Sequence, residues 1–235
     1  MTTAIIGGTS GIGLETARQL QSSGQDVAVF GRSDKKLANA FETLGGNVPS
    51  AAVDAGDYAA LRAALSAVPS LDAIIVSVGA GAGNGTLDSL GVDGLQAGFA
   101  AKVWPVWNAI QCAKDLLPPE GALTIIGAAR AHYAAADAVG AAAVHGSLAA
   151  MIPSLAVALA PIRVNLVAPG ITDTPPWNGF GDKKAAVFAS FAEKTLLGRV
   201  GQPAEVAHAI VALTTNGYAT GQVIRIDGGL GLSAG

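Results

Sequence analysis

Short apolar runs alternate along the chain with longer segments in which apolar residues recur every three or four positions. The short runs predict seven strands, at residues 4–6, 27–30, 48–53, 73–76, 123–126, 163–167 and 222–226. The longer segments predict helices at 14–20, 34–44, 58–68, 94–117, 140–159 and 204–214. Strands without polar alternation need cover on both faces. The alternation therefore predicts an α/β fold, a Rossmann-like doubly wound parallel sheet in a three-layer α/β/α arrangement with about seven strands.

Composition narrows the class of protein. The chain has 235 residues and a formal net charge of −3 without a block of like charges, which argues against nucleic acid and anionic membranes as main partners. The single cysteine, Cys112, cannot form an internal disulfide and is expected to be a small core residue in a reducing compartment. The chain shows no signal peptide pattern, and no apolar stretch is expected to span a bilayer. We therefore expect one cytoplasmic domain over residues 1–235.

A glycine-rich turn follows the first predicted strand and precedes the first helix, with the sequence Gly-Gly-Thr-Ser-Gly-Ile-Gly at residues 7–13. Glycines at this spacing allow a tight turn and close approach of the backbone to a pyrophosphate, which the helix N-terminus then attracts. The alternative is a turn that uses glycine for backbone reasons alone. The residues assigned to the dinucleotide are Gly7, Thr9, Ser10, Gly11, Ile12 and Gly13.

The end of the second predicted strand indicates which dinucleotide is bound. An acidic residue at this position would accept hydrogen bonds from the ribose hydroxyls of NAD, but the sequence there is Phe-Gly-Arg-Ser. Arg32 offers a guanidinium to a 2′-phosphate, with Ser33 as a possible helper, so the predicted cofactor is NADP(H). The alternative is that Arg32 is a solvated surface charge.

With these motifs, the chain resembles the short-chain dehydrogenase/reductase family over nearly its whole length. Residues 6–13 resemble the family opening Thr-Gly-x-x-x-Gly-x-Gly, with Ile6 in place of Thr. Residues 163–170, Arg-Val-Asn-Leu-Val-Ala-Pro-Gly, match the segment before the nicotinamide, and residues 220–229 match the closing strand and turn. Residues 77–80 are a looser match to the Asn-Asn-Ala-Gly segment after the fourth strand.

The resemblance also implies further cofactor contacts. Asp54 in Val-Asp-Ala-Gly-Asp corresponds to the family aspartate that contacts adenine. Contacts with the nicotinamide carboxamide and the phosphates would come from the segment after the sixth strand. The residues assigned on this ground are Asp54, Gly79, Pro169, Gly170, Ile171, Thr172 and Thr174.

The family's catalytic residues are not matched. Its Tyr-x-x-x-Lys pair falls on Ala141 and His145, its Ser on or beside Ala128, and its Asn on Lys102. His145 would stand where the family holds a cation under the nicotinamide ribose, and an imidazole there could bind the hydroxyls or exchange protons. Lys102 borders the same site, and burial would bring its pKa toward neutrality.

The candidate catalytic groups are therefore Lys102, His145 and Tyr133, of which the first two are also candidate cofactor contacts. Tyr133 follows the fifth strand and would supply a phenol from a different backbone position. The alternatives are an exposed helix lysine, a partly buried histidine without a chemical role, and a tyrosine packed at the rim.

Residues 174–198 stand where the family places a substrate lid, and Trp177, Phe180 and Phe188 would give that lid an apolar inner face. Trp104 and Trp107 share a face of one helix and are expected to line the pocket or a subunit contact. The family forms dimers and tetramers through its fourth and fifth helices, and the fifth is rich in Ala and Gly here. A homodimer or homotetramer is therefore expected.

Three functions remain open. The favoured one is an NADPH-dependent oxidoreductase acting on a small carbonyl or alcohol compound with a rearranged proton donor. The second is a non-catalytic NADPH-binding sensor or partner subunit, because alanines replace two required hydroxyls. The third is a lyase or isomerase on the same scaffold.

Overall fold

The fold is built on a single seven-stranded parallel sheet. The computed structural model describes residues 1–79 and 81–232, so Ala80 of the 77–80 match and the end of the expected domain at 233–235 lie outside the described residues. The strand order is β3-β2-β1-β4-β5-β6-β7, and every neighbouring pair is parallel. The strands are β1 Thr2–Ile6, β2 Asp26–Gly31, β3 Ser50–Ala52, β4 Leu71–Val76, β5 Ala122–Ile126, β6 Arg163–Pro169 and β7 Val223–Ile226.

Helices cover both faces of this sheet. They are α1 Gly11–Ser22, α2 Asp34–Thr43, α3 Tyr58–Ser66, α4 Val92–Leu116, α5 Val139–Ala158, α6 Lys184–Ala192 and α7 Pro203–Thr215, with short 3₁₀ segments at Ala129–His132 and Pro175–Lys183. One buried core joins the sheet to α3, α4 and α5, and a second joins it to α1, α2 and α7. The predicted doubly wound, three-layer fold is confirmed.

The third strand is shorter than its apolar pattern predicts. The pattern covers residues 48–53, whereas β3 pairs with β2 only from Ser50 to Ala52. Val48 and Val53 are buried on either side of the paired segment, because their side chains pack into the two cores. At this sheet edge, burial extends further than hydrogen-bonded pairing.

One helix meets the length and composition criteria for a bilayer span, although no apolar stretch was expected to span a bilayer. α5 has 20 residues and enough hydropathy to qualify by length and composition alone. Gly140, Gly146 and Pro153 all lie inside this continuous helix, as the pattern over residues 140–159 predicted. Its buried face, including Val144 and Leu148, packs into the core beside α4 and the sheet, so the pattern is weak support for a membrane location.

The strand order reverses between β1 and β4. From β1 the chain builds outward to β2 and β3, then returns to β4 on the other side and continues to β7. At such a switch point the connections leave the sheet in opposite directions and open a crevice at the carboxyl ends of the strands. The topology therefore places a ligand site where β1 and β4 end.

Asn165 fastens the central part of β6 to the loop before β7. Its side chain is fully buried, donates from Nδ2 to the Ala219 carbonyl over 2.8 Å, and accepts from the Gln222 amide over 3.0 Å. These bonds satisfy two backbone groups that the β6–β7 ladder does not reach. The asparagine of the Arg-Val-Asn motif is thus a structural residue, and it does not line the ligand cleft.

Replacing Asn165 with Ala should lower the free energy of unfolding by about 1–3 kcal/mol, since a buried amide is removed and two partly buried backbone groups lose their partner. Denaturant titration would measure the change. Gln222→Ala is the matched control, because the exposed Gln222 side chain bonds, within the described part of the chain, only to the nearby Thr220 carbonyl. It should change stability by less than about 0.5 kcal/mol. Equal effects of the two substitutions would contradict this role.

Candidate functional site

A cleft of about 620 Å³ opens at the switch point. Its walls come from the carboxyl ends of β1, β2, β3 and β4 and from one side of α4. The lining residues are Ile6, Gly7, Thr9, Ser10, Gly31, Arg32, Ser33, Lys36, Val53, Asp54, Ala55, Gly56, Ser77, Val78, Gly79, Ala100, Ala101 and Pro105.

The glycine-rich turn forms one end of the cleft. Its backbone lies so close to neighbouring backbone atoms that a side chain would not fit at two of its glycines. A methyl group on Gly7, whose φ is +84°, would lie 2.5 Å from the Ser77 carbonyl oxygen, and one on Gly13 would lie 2.3 Å from the Gly7 oxygen. Ser10 precedes α1, and in the described structure its side chain makes no capping hydrogen bond. The first amides of α1 are therefore open to an anion in the cleft.

The six residues predicted in this turn divide into two groups. Gly7, Thr9 and Ser10 line the cleft, whereas Gly11, Ile12 and Gly13 do not. Gly13 is buried against the turn, and Ile12 packs onto the core beneath α1. The second group therefore shapes the turn and its helix and contributes no side chain to the cleft.

A positively charged corner lies beside the end of β2. Arg32, Ser33 and Lys36 all line the cleft there. Ser33 caps α2 by accepting from the Lys36 amide over 3.4 Å, which turns the start of α2 toward the cleft. Within residues 1–79 and 81–232, the charged groups of Arg32 and Lys36 have no hydrogen-bond or ion-pair partner. Two unpaired cations and a helix N-terminus suit a phosphate group.

Lys36 was missed at the sequence level. It lies three residues after the Ser33 cap, one turn into α2. A side chain at this spacing stays close to the start of the helix, so the cap position could have predicted Lys36 as a cleft residue. Asn108 of α4 was also missed. Its Nδ2 donates to the Ala55 carbonyl over 2.9 Å and to the Gly56 carbonyl over 3.0 Å, which holds the cleft wall beside Asp54. No local pattern indicates a contact across more than 50 residues of sequence.

Asp54 and Gly79 line the cleft, as the resemblance implied. The Asp54 Oδ1 accepts from the Gly56 amide over 2.9 Å, so the carboxylate is oriented by its own turn. Gly79 has open space around the position that a side chain would take. Both residues are therefore placed to contact a ligand.

The segment after β6 lies beyond the cleft lining. Among Pro169, Gly170, Ile171, Thr172 and Thr174, none lines the described cleft. The Thr174 side chain covers the glycine-rich turn, since a methyl group on Gly11 would lie 3.3 Å from its Cγ2. Ile171 lines a separate cavity of about 80 Å³ beside α7.

Lys102 is a buried amine at the inner side of α4. It is 2 % exposed, and its Nζ donates to the Val78 carbonyl over 2.5 Å. Burial lowers the pKa of Lys102 to about 7, because the ammonium loses its hydration. Val78 lines the cleft, so Lys102 stands one hydrogen bond behind the cleft wall. The alternative of an exposed helix lysine is excluded.

His145 lies within electrostatic reach of Lys102. Burial, and secondarily the Lys102 charge, lowers the pKa of His145 to about 4, so the imidazole is neutral near pH 7. Its Nδ1 is buried and has no hydrogen-bond partner in the described part of the chain. The structure therefore brings together two candidates that are 43 positions apart in the sequence.

The position that the resemblance assigns to the family tyrosine is closed. Ala141 is 3 % exposed. At the preceding residue, Gly140, a methyl group would lie 1.9 Å from the Gly83 carbonyl oxygen and 2.6 Å from Leu90 Cδ2. The loop between β4 and α4 thus packs directly on the start of α5, beside the position that the resemblance assigns to the family tyrosine.

Tyr133 has other neighbours. Burial raises the pKa of Tyr133, and its charged neighbours are Arg130, Asp137 and Asp227. Arg130 forms an ion pair with Asp137. The phenol therefore stays protonated at neutral pH, in a setting distinct from that of Lys102 and His145.

Comparison with known proteins agrees with this geometry. The family model described as enoyl-(acyl carrier protein) reductase matches residues 7–231. A short-chain dehydrogenase/reductase, fsr5, from Gibberella fujikuroi is 28% identical over 97% of this chain and 94% of its own length. The 3-oxoacyl-[acyl-carrier-protein] reductase FabG of Rickettsia conorii is 26% identical over 97% of this chain and 96% of its own length.

Solved structures give the same result. The crystal structure of a small-chain dehydrogenase in complex with NADPH superposes with a TM-score of 0.84 at 28% identity, covering 99% of both chains. A short-chain dehydrogenase/reductase from Serratia marcescens superposes with a TM-score of 0.87 at 28% identity, covering 98% of this chain and 97% of that one. With a family model that spans residues 7–231 and the same fold throughout, the chain belongs to the short-chain dehydrogenase/reductase family of oxidoreductases.

Proposed function

We propose that this protein is an NADPH-dependent oxidoreductase with an atypical active site, acting on a small carbonyl or alcohol compound. The observation that carries the proposal is the phosphate-suited corner of the cleft, where the charged groups of Arg32 and Lys36 have no partner among the described residues beside the start of α2. A solved relative that contains NADPH supports the same cofactor. We also propose that residues 1–235 form one domain.

The residues present fit this cofactor. The glycine-rich turn leaves backbone-sized space next to the open N-terminus of α1, which suits a pyrophosphate. Arg32 and Lys36 would hold the 2′-phosphate, and Asp54 would contact the adenine side. The segment from Pro169 to Thr174 would meet the nicotinamide end, as the family resemblance implies.

The bound nicotinamide would supply or accept the hydride. The chain's own part is to move one proton, and Lys102 is the proposed donor because its Nζ holds a proton that is released near neutral pH. His145, neutral and with Nδ1 turned inward, would use Nε2 to hold a ribose hydroxyl. Tyr133 is the third candidate, as a protonated phenol after β5.

A second function has a specific observation in its favour. Ala141 is buried, and the β4–α4 loop fills the adjoining space, so the family's phenol has no counterpart at its usual place. A non-catalytic NADPH-binding sensor or partner subunit would keep the cleft and need no proton donor. Such a protein would bind NADPH without turnover of any carbonyl, alcohol or imine.

We also propose that the protein forms a homodimer or homotetramer through α4 and α5. Trp104 is 53% exposed and Trp107 is 42% exposed on the outer face of α4, where they line no described cavity. Val157 is exposed on α5. Apolar side chains of this size on adjacent helices are typical of a subunit contact. Cytoplasmic location remains a prediction, with the buried thiol of Cys112 in its favour.

The cofactor assignment predicts a selective loss in two variants. Arg32→Ala and Lys36→Ala should each weaken NADPH binding by about 10- to 100-fold, because each removes a charge-assisted bond to the phosphate. NADH binding should change little. Calorimetric titration of both cofactors measures this, with Lys35→Ala as control, since Lys35 is adjacent to Lys36 but does not line the cleft. Absence of NADPH binding to the wild type would refute the proposed function, and equal loss for both cofactors would refute the phosphate assignment.

The proton donor assignment predicts a pH dependence. Carbonyl reduction should slow as the pH rises through about 7, because Lys102 loses its proton there. Lys102→Met should slow turnover by about 10²- to 10⁴-fold and remove this dependence. A titration showing that the variant still holds NADPH separates lost chemistry from a lost site. An unchanged pH profile in the variant would exclude Lys102 as the donor.

The same amine should affect stability. The pKa of Lys102 is about 7 in the folded chain and 10.5 when unperturbed, so the unfolded chain binds more protons between these values. The free energy of unfolding should therefore rise with pH across this window, and the rise should be smaller in Lys102→Met.

The oligomer proposal predicts a mass change. Light scattering at micromolar concentration should give a dimer or tetramer, and replacing Trp104 and Trp107 together with Ser should shift it toward smaller species. Tyr218→Ser is the control, because Tyr218 is fully exposed and lies outside both helices. A wild-type monomer would contradict the proposal.

A further inference from the structure

The lid, residues 174–198, has an exposed helical part. It contains the 3₁₀ segment Pro175–Lys183 and helix α6, and among the described residues of these two elements none is buried. A segment that buries so little apolar surface opens more readily than the core. We therefore expect polar contacts with the body to matter for its position, such as the Lys184–Asp173 ion pair and the bond from the Leu197 amide to the Gly228 carbonyl.

The lid has a small aromatic cluster of its own. The Trp177 ring lies 5.5 Å from Phe180, 5.4 Å from Phe188 and 5.9 Å from Phe191, measured between ring centroids. Two of these contacts are edge-to-face, an arrangement favoured by the charge distribution of the rings. The cluster joins the 3₁₀ segment to α6, so the two elements are expected to move together.

Lys184 connects this cluster to the body. Its Nζ lies 2.7 Å from Asp173 Oδ1, donates to Asn178 Oδ1 over 3.0 Å, and stands 5.2 Å from the Phe188 ring centroid. The lysine and aspartate side chains are both mostly covered, with 27% and 33% exposed. One ammonium thus contacts a loop residue, the lid's first segment and the lid's aromatic cluster.

Asp173 belongs to the rigid side of this contact. Its amide donates to the Gly201 carbonyl over 2.9 Å, and the Gly201 amide donates back to the Ile171 carbonyl over 2.9 Å. The next residue, Thr174, covers Gly11 of the glycine-rich turn. Asp173 therefore lies within the segment that we propose contacts the cofactor.

We propose that Lys184 is a positioning residue for the substrate site, acting through its ion pair with Asp173 to hold the aromatic cluster of the lid against the cofactor-contacting segment. The proposal rests on the proposed function for the identity of that segment. The ion pair then fixes the position of the cluster relative to the reacting end of the cofactor. The exposed face of the cluster, which includes Phe180, contacts the substrate and selects one with an apolar body.

The ion pair has a measurable consequence before any substrate is present. Salt screens an attraction between partly exposed charges, so added salt should loosen the lid. Coupling between lid closure and cofactor binding is reciprocal. If cofactor binding orders the Asp173 segment and raises the equilibrium constant for lid closure, lid closure raises the affinity for the cofactor by the same factor.

Hydrogen–deuterium exchange of the full-length protein tests the contact directly. Lys184→Met should speed amide exchange in peptides covering residues 175–192 and leave the strands unchanged. Lys184→Arg should restore slow exchange, because it keeps the charge. Lys183→Met is the matched control, since Lys183 is adjacent and in the described structure has no ion pair. Raised salt should speed lid exchange in the wild type and have little effect in Lys184→Met.

Steady-state kinetics supply the second readout. Lys184→Met should raise KM for the substrate about two- to fivefold, the range expected for a partly exposed ion pair, with a smaller change in kcat. Lid exchange equal in Lys184→Met and wild type would overturn the proposal, and so would equal changes in Lys183→Met. If the wild type fails to bind NADPH, the proposed function falls, whereas the exchange comparison still decides whether Lys184 holds the lid.

Discussion

The site depends on a contact in which backbone meets backbone with no room for a side chain. At Gly7 and Gly13 an added methyl group would lie within 2.5 Å of a carbonyl oxygen, belonging to Ser77 in one case and to Gly7 in the other. This spacing brings the ends of β1 and β4 and the start of α1 together. The cleft, the open helix N-terminus and the position of Val78 all follow from it.

Lys102 shows how burial changes the chemistry of a basic group beside the cleft. Moving an ammonium out of water is unfavourable, and here a single carbonyl, that of Val78, compensates it. The chain lowers this cost by bringing the pKa of Lys102 to about 7, where the neutral amine becomes accessible. The same burial keeps His145 neutral, so the two groups do not repel each other as cations near neutral pH. Desolvation thus brings the pKa of one basic group behind the cleft wall close to neutral.

Apolar patterning predicted every strand of the sheet, because strands buried on both faces leave an unbroken apolar run. Its bounds were wrong for β3, where the buried residues extend beyond the residues that pair with β2. Val48 and Val53 are apolar because they pack into the cores, yet only Ser50 to Ala52 pair with β2. α5 is continuous over Val139–Ala158 although it contains Gly146 and Pro153, because its buried face packs into the core.

By itself the sequence determined the fold class, the glycine-rich turn and the residues that can meet a phosphate, since these depend on local spacing and residue type. Lys36 was within reach of the same reasoning, one turn after the Ser33 cap. Only the tertiary structure decided that Lys102 is buried, that its charge reaches His145, and that Lys184 pairs with Asp173. Hydration and charge at a residue depend on which distant segments surround it. Local sequence carries no record of that arrangement, whereas the packed sheet and helices fix it.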